Sequence, residues 1–276
     1  MAPYVVLLVA VGIYPVGYAL DLAFTSYSGH FTGLANFTGS FDNPFFVPAI
    51  ENVGVFLAIW LAALGVFVVG LSLVLHSLNR RVAAAFRFVF YLPAGLAGAA
   101  SVMLWLFMLQ PGTSPWSFVL NGLGSHSLGN SLTSPKLPVV FAVIAFWSGA
   151  GAWIVVMHGA LATIPEEVLE AAKLDGANAW QTAVRVKLPL IKKWIAYMAI
   201  GAFAAGSQIF VEPELINRTT GGVTNQNWAP NQVAFGLAFR IGNFNYAAAI
   251  SIVLLIGALV CAAVILLRTG LFEAGH

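Results

Sequence analysis

Residues 163–189 read TIPEEVLEAAKLDGANAWQTAVRVKLP, and long apolar runs flank them on both sides. Glu166, Glu167, Glu170 and Asp175, with Lys173, Arg185 and Lys187, fall inside this stretch of a chain that is only 8% charged. A membrane protein gathers charge in this way where it faces water and a partner. The local signals predict two short helices. Thr163 and Glu166 fit the T-x-x-E capping pattern, and Pro165 suits a first helical turn. Three glutamates then sit early in the helix and Lys173 late, each at the end the helix dipole favours. Val168, Ala171, Ala172 and Asp175 share one small-sided face by spacing. Asp175-Gly176 is a stop signal, Asn178 caps a second helix carrying Trp180 and Gln181, and Pro189 marks a further break.

The flanks decide the class. The chain has 276 residues, of which 60% are hydrophobic, and a mean hydropathy of +0.89, a value for membrane proteins rather than soluble domains. A span needs about 20 apolar residues. Residues 3–24, 53–75, 86–109, 137–161, 194–214 and 247–267 supply six. The expected fold is therefore an all-α integral membrane protein: one transmembrane domain over 1–276, with six helices and a polar loop at 163–189. The first run has no basic flank and no small-residue cleavage site, so it reads as a helix and not a signal peptide. The missing basic flank points to a shortened N-terminus, or to an orientation set by later loops.

Orientation follows from the bias of lysine and arginine. Arg80, Arg81, Arg87, Lys173, Arg185, Lys187, Lys192, Lys193 and Arg268 fall on one side, and Lys136, Arg218 and Arg240 on the other. Both termini and the 163–189 loop are then cytoplasmic. The basic residues form no stripe, so nucleic acid is not a partner. The single cysteine, Cys261, excludes an internal disulfide and a cysteine metal cluster, and reads as a small packed hydrophobe. His76 and His158 lie at helix ends, where packing or interface roles are expected.

Glu170-Ala171-Ala172, three residues, Gly176, nine residues, Val186, one residue and Leu188-Pro189 resemble the EAA motif of ABC-importer permeases, with valine in place of isoleucine. Gly33-Leu34-Ala35-Asn36-Phe37 resembles the G-L-x-N-F segment of the first permease type in maltose and glycerol-phosphate importers. Thr219-Thr220-Gly221-Gly222 resembles a T-x-G-G-P stretch with Val223 for proline, and residues 235–249 resemble the lead-in to the last helix. A proline near Pro93 is also common in that family and predicts a kink in the third helix.

The resemblance implies a permease that carries a sugar into the cytoplasm from the cell membrane, working with three partners: a second, unlike permease, an ATPase dimer and an extracytoplasmic solute-binding protein. ATP and Mg belong to the ATPase, and this chain holds no cofactor or metal. Glu170, Ala171, Ala172, Asp175, Gly176, Leu188 and Pro189 are the implied coupling residues, in a cytoplasmic helix between spans four and five. Polar groups at bilayer depth are costly unless they face a partner or cavity. That makes Trp147, Ser148, Trp153, Ser207, Gln208 and Glu212 the candidate substrate path, with aromatic faces for a sugar ring and hydrogen-bonding groups beside them. Close helix packing through Gly149, Gly151 and Gly206 is the competing account. No basic residue sits mid-span in helices four and five, which disfavours an anionic cargo.

No nucleophile–base pair, HExxH or Walker A sequence is present, so no catalytic site is expected. An ion-coupled secondary transporter is the rival reading. It calls for acids or histidines deep in the spans, and Glu212 is the one acid placed near them.

Overall fold

The computed structural model describes residues 2–96 and 98–269. Among these the chain is helical, with one isolated bridge between Thr25 and Phe31. The expected cytoplasmic carboxy-terminus lies outside the described residues. Contacts divide the chain into two compact units, Met1–Val55 with Ser207–Val260, and Phe56–Gly206 with Cys261–His276. Five helices are long and apolar enough to cross a membrane, and a bent pair makes a sixth if it counts as one span.

The first unit begins with α1 (Pro3–Phe24), which contains a π-helical run at Leu8–Ile13. The short helix α2 (Ala35–Phe41) follows. The G-L-x-N-F segment has a structural task here. The Asn36 amide donates to the carbonyls of Ala23 and Thr25 at 2.9 and 2.8 Å. Asn245, from the lead-in to the last helix, donates to those of Leu22 and Thr25 at 3.0 and 2.7 Å. Two asparagines thus satisfy the carbonyls that a helix end leaves unpaired. Beneath them Ala23 packs on Ala248, Ala249 and Ile252.

The next helix, α3 (Phe46–Ser77), starts seven residues before the expected 53 and carries a π-helical run at Leu64–Val68. Glu51 and Asn52 interrupt the apolar pattern there, but Glu51 is exposed and Asn52 half-buried, so the two do not delay the helix.

In the second unit, α4 (Arg80–Tyr91) begins six residues ahead of the expected 86, because Asn79 caps it through Val82 N at 2.9 Å. A 3₁₀ turn at Leu92–Leu96 contains Pro93, and α5 (Ala99–Leu109) lies at 101° to the arm that precedes it. The α winding of the third span thus stops two residues short of Pro93, which removes a backbone donor, and the bend follows the 3₁₀ turn. Then come α6 (Leu137–Ala162) and the short α7 (Glu166–Leu174). Helix α8 covers 179–207, with a π-helical run at Thr182–Lys187. Contrary to expectation, Pro189 does not break it. It sits at the second position after the π turn, where the wider winding has already shifted the hydrogen-bond ladder that its missing N–H would otherwise disrupt.

The span expected over 194–214 lies within a helical stretch, Ala179–Thr219, that is long and apolar enough to cross a membrane. Helix α8 ends at Ser207, and α9 (Val211–Thr219) begins after an interruption at residues 208–210. Pro213 supplies the reason: in a continuous helix its ring would clash with the carbonyl of Ile209. The first unit then adds α10 (Pro230–Phe235), a π-helical continuation at Gly236–Ile241, and α11 (Phe244–Thr269), which passes on into the second unit's residues.

Candidate functional site

The polar loop forms a capped helical projection. Helix α7 ends at Leu174, and Gly176 adopts φ +77°, a left-handed conformation that costs a residue with a Cβ. Gly176 N–H donates to Lys173 O and Ala177 N–H to Ala172 O, both at 3.0 Å. These two bonds are the Schellman arrangement, and they close the helix end. Asn178 then opens α8 with a full capping box: its side chain accepts from Gln181 N, and Gln181 Oε1 accepts from Asn178 N, each at 2.9 Å.

The start of α7 differs from expectation. Pro165, in an extended conformation, occupies the cap position without a side-chain hydrogen bond. Thr163 instead donates to Ala160 O at 2.8 Å and finishes α6. The helix therefore starts at Glu166, too early for Glu166 to serve as the reciprocal acid of a capping box.

Ile164 and Ala172 face inward, with Leu169 half-buried, while Glu170 and Ala171 are exposed. The expected two-alanine face is thus split between the protein and the outside. Leu174 is 89% exposed and Trp180 76%. Two large apolar side chains held out beside the same turn make a surface that a partner can cover. Leu188 is half-buried and Pro189 exposed, on α8.

The candidate substrate-path residues divide between the units. In the second unit, Trp147 meets Trp105 edge-on at 5.8 Å, and Trp153 meets Tyr197 at 5.9 Å. Six residues of helix separate Trp147 from Trp153, so they face different neighbours and form no common platform. Ser148 donates to Ile144 O at 2.9 Å on its own helix. The glycines pack closely, as the competing account holds. A Cβ at Gly151 would overlap the Phe90 carbonyl, and one at Gly206 would come within 2.6 Å of Leu57 and 2.7 Å of Trp60.

Sequence reasoning passed over two donors: the indole N–H groups of Trp60 and Trp105 are buried without a hydrogen-bond partner. Their signal was an aromatic at mid-span, which is indistinguishable from packing until the partners are known.

In the first unit, Ser207 ends α8, Gln208 is the first residue of the interruption, and Glu212 is half-buried. The fully buried acid is Glu214, not the expected Glu212. Its carboxylate accepts from Arg218 Nε at 2.7 Å, Arg240 at 3.2 Å and Gln232 at 3.0 Å. The two guanidinium groups also lie 5.9 and 5.8 Å from the Phe235 ring centroid. This carboxylate is neutralised in place, unlike a free ion-coupling acid. His76 accepts from Lys187 Nζ at 3.0 Å, and its ring lies 6.0 Å from that of His158. Cys261 is half-buried. Among the described residues no group of three or more His, Cys, Asp or Glu could hold a metal ion.

Comparison with known proteins fits this arrangement. Residues 54–274 match the family described as binding-protein-dependent transport system inner membrane component, and the chain belongs to that family. It is the membrane-spanning permease of an ABC importer, which removes the ion-coupled transporter as a rival. Among similar proteins, the diacetylchitobiose uptake system permease protein NgcF of Streptomyces coelicolor is 29% identical, over 95% of this chain and 78% of that protein. The trehalose transport system permease protein SugA of Mycobacterium tuberculosis is 28% identical, over 92% and 82%. A chain in the crystal structure of a bacterial alginate ABC transporter, in complex with an alginate pentasaccharide-bound periplasmic protein, superposes with a TM-score of 0.78 at 20% identity, covering 96% of this chain and 91% of that one. At that identity the likeness speaks for the fold.

Proposed function

We propose that this permease carries a sugar or sugar-like solute into the cytoplasm, and that α7 is the point through which a separate ATPase drives it. The observation that carries the coupling proposal is the projection of α7: closed at Gly176 by two backbone bonds, with Leu174 and Trp180 held outward. The EAA motif coincides with this projection, which supports assigning Glu170, Ala171, Asp175 and Gly176 to the ATPase contact, with Ala172 buried behind them and Leu188 and Pro189 following on α8. The 163–189 loop and both termini are cytoplasmic in this reading.

An ATPase dimer hydrolyses ATP with Mg and closes on the loop. The force enters α8 directly, because that helix starts three residues after Gly176. Only a difference in loop contact between open and closed ATPase states shifts the permease between its own states. One loop serves one ATPase subunit, so a second permease completes the assembly, and an unlike partner gives a heterodimer. A solute-binding protein delivers the cargo on the opposite face.

Carbohydrate cargo is supported by the relatives named for diacetylchitobiose uptake and trehalose transport. Trp147, Ser148 and Trp153 in the second unit, and Ser207, Gln208 and Glu212 in the first, remain the proposed path residues by the chemistry of their side chains.

The test is disulfide crosslinking of a Leu174→Cys variant in the assembled complex, with Cys261 replaced by serine. A crosslink to the ATPase is expected. A loop that stays free in the complex, or reaches only lipid, overturns the coupling assignment. Ser207→Ala with Gln208→Ala should change substrate-stimulated uptake more than basal ATP hydrolysis. Unchanged uptake and substrate preference would move the path elsewhere.

A further inference from the structure

One cavity uses none of the residues assigned above. It measures about 640 Å³ and lies within the second unit, walled by Phe67, Gly70, Val74, Phe90, Phe146 and Ile154 among others. No side chain in its wall is polar. A wholly apolar space of this size is suited neither to water nor to a sugar and takes apolar matter.

Basic side chains lie two to four residues from its wall on three helices. Val74 precedes His76 by two residues, Ile154 precedes His158 by four, and Phe90 follows Arg87 by three. Lys187 joins them from α8 through its 3.0 Å bond to His76. That bond uses one ammonium hydrogen and leaves two for other acceptors. The His158 ring sits 6.0 Å from His76, and its Nδ1 is buried without a partner. Arg87 acts electrostatically on His158, and Lys173 on Lys187. Among the described residues no carboxylate forms an ion pair with Arg87 or Lys187.

We infer that this is a binding site for an anionic phospholipid of the leaflet on the α7 side: an acyl chain fills the cavity, and the phosphate meets Arg87, Lys187 and His158. Charge complementarity and the apolar cavity each select half of the same amphiphile. The inference is independent of which solute is transported.

The test is native mass spectrometry of the full chain, released from detergent with phosphatidylglycerol, with phosphatidylethanolamine, or with inorganic phosphate alone. Phosphatidylglycerol should be retained at least about fivefold over phosphatidylethanolamine, and Arg87→Gln and Lys187→Gln should each lower retention by about fivefold. Gly70→Leu supplies a second arm. A Cβ at Gly70 meets no atom within 4 Å, so leucine there fills the cavity without disturbing the fold, and should expel the lipid while thermal unfolding stays unchanged or rises. Equal retention of the two lipids, a phosphate adduct that forms without any lipid, or full retention in Gly70→Leu would overturn the inference. So would crosslinking that seats a helix of a second permease at Phe67.

Discussion

Gly176 offers the sharpest test of the projecting turn, because conformation and bulk can be separated there. Its φ of +77° is left-handed, and a Cβ built on it finds no atom within 4 Å. Substitution therefore meets no clash, and its cost is backbone strain of roughly 1–2 kcal/mol for an ordinary residue. A β-branched side chain costs more, while asparagine tolerates this region. If the whole strain falls on the geometry that engages the ATPase, coupling drops by about 5–30-fold. The assay is retention of the ATPase on the purified permease, with uptake in reconstituted vesicles, across Gly, Asn, Ala and Val at position 176. The expected order is Gly, then Asn, then Ala, then Val, with equal membrane insertion throughout. Asparagine is larger than alanine, so an order that follows volume would refute the conformational account, and no change across the series would refute the role of the turn.

Three further outcomes are expected. Gly151→Val forces α6 away from the Phe90 backbone and should destabilise the chain by about 1–3 kcal/mol, read as a lower unfolding temperature in detergent; wild-type stability would show the close approach to be dispensable. Glu214→Gln weakens two arginine contacts and should cost about 1–3 kcal/mol. The exposed outer sides of both arginines keep it below the figure for a fully buried pair, and a double-mutant cycle with Arg240→Gln should show coupling, whereas strict additivity would deny it. Asn36→Leu leaves the Ala23 carbonyl without its side-chain donor and should cost about 1–3 kcal/mol, an effect that Asn36→Ala should share if the lost hydrogen bonds, and not crowding, are responsible.

Features written within a few residues were legible before the structure. The Asp175-Gly176 stop and the Asn178 cap depend on local hydrogen bonds and formed as read. The kink near Pro93 is also local, because the missing donor acts on its own helix. Thr163 misled because T-x-x-E occurs both before a helix and at the end of one, and Pro165 decided between them. Pro189 misled in the opposite way, since the effect of a proline depends on the winding around it, and the π turn at Thr182–Lys187 has no residue signature. Pro213 did announce the interruption at residues 208–210, but the apolar run concealed it. The choice between Glu212 and Glu214 was legible in part, because Arg218 stands four residues after Glu214, while its other two partners lie 18 and 26 residues further along. The pairings of the candidate path, Trp147 on Trp105 and Trp153 on Tyr197, are likewise set by which helices meet.

The extra residue wound into α8 at Thr182–Lys187 has a geometric consequence of its own. From 179 to 207 the helix is a rod of roughly 40 Å, at about 1.5 Å per residue. Rewinding these residues as ordinary α-helix, with none removed, would turn every later side chain by about 100° about the axis relative to the loop. Trp194 and Tyr197 would keep their identities but point elsewhere. The π turn therefore acts as a phase setting between the driven end of the rod and its working length, and two permeases with identical residues at every assigned position could still differ in what that length presents.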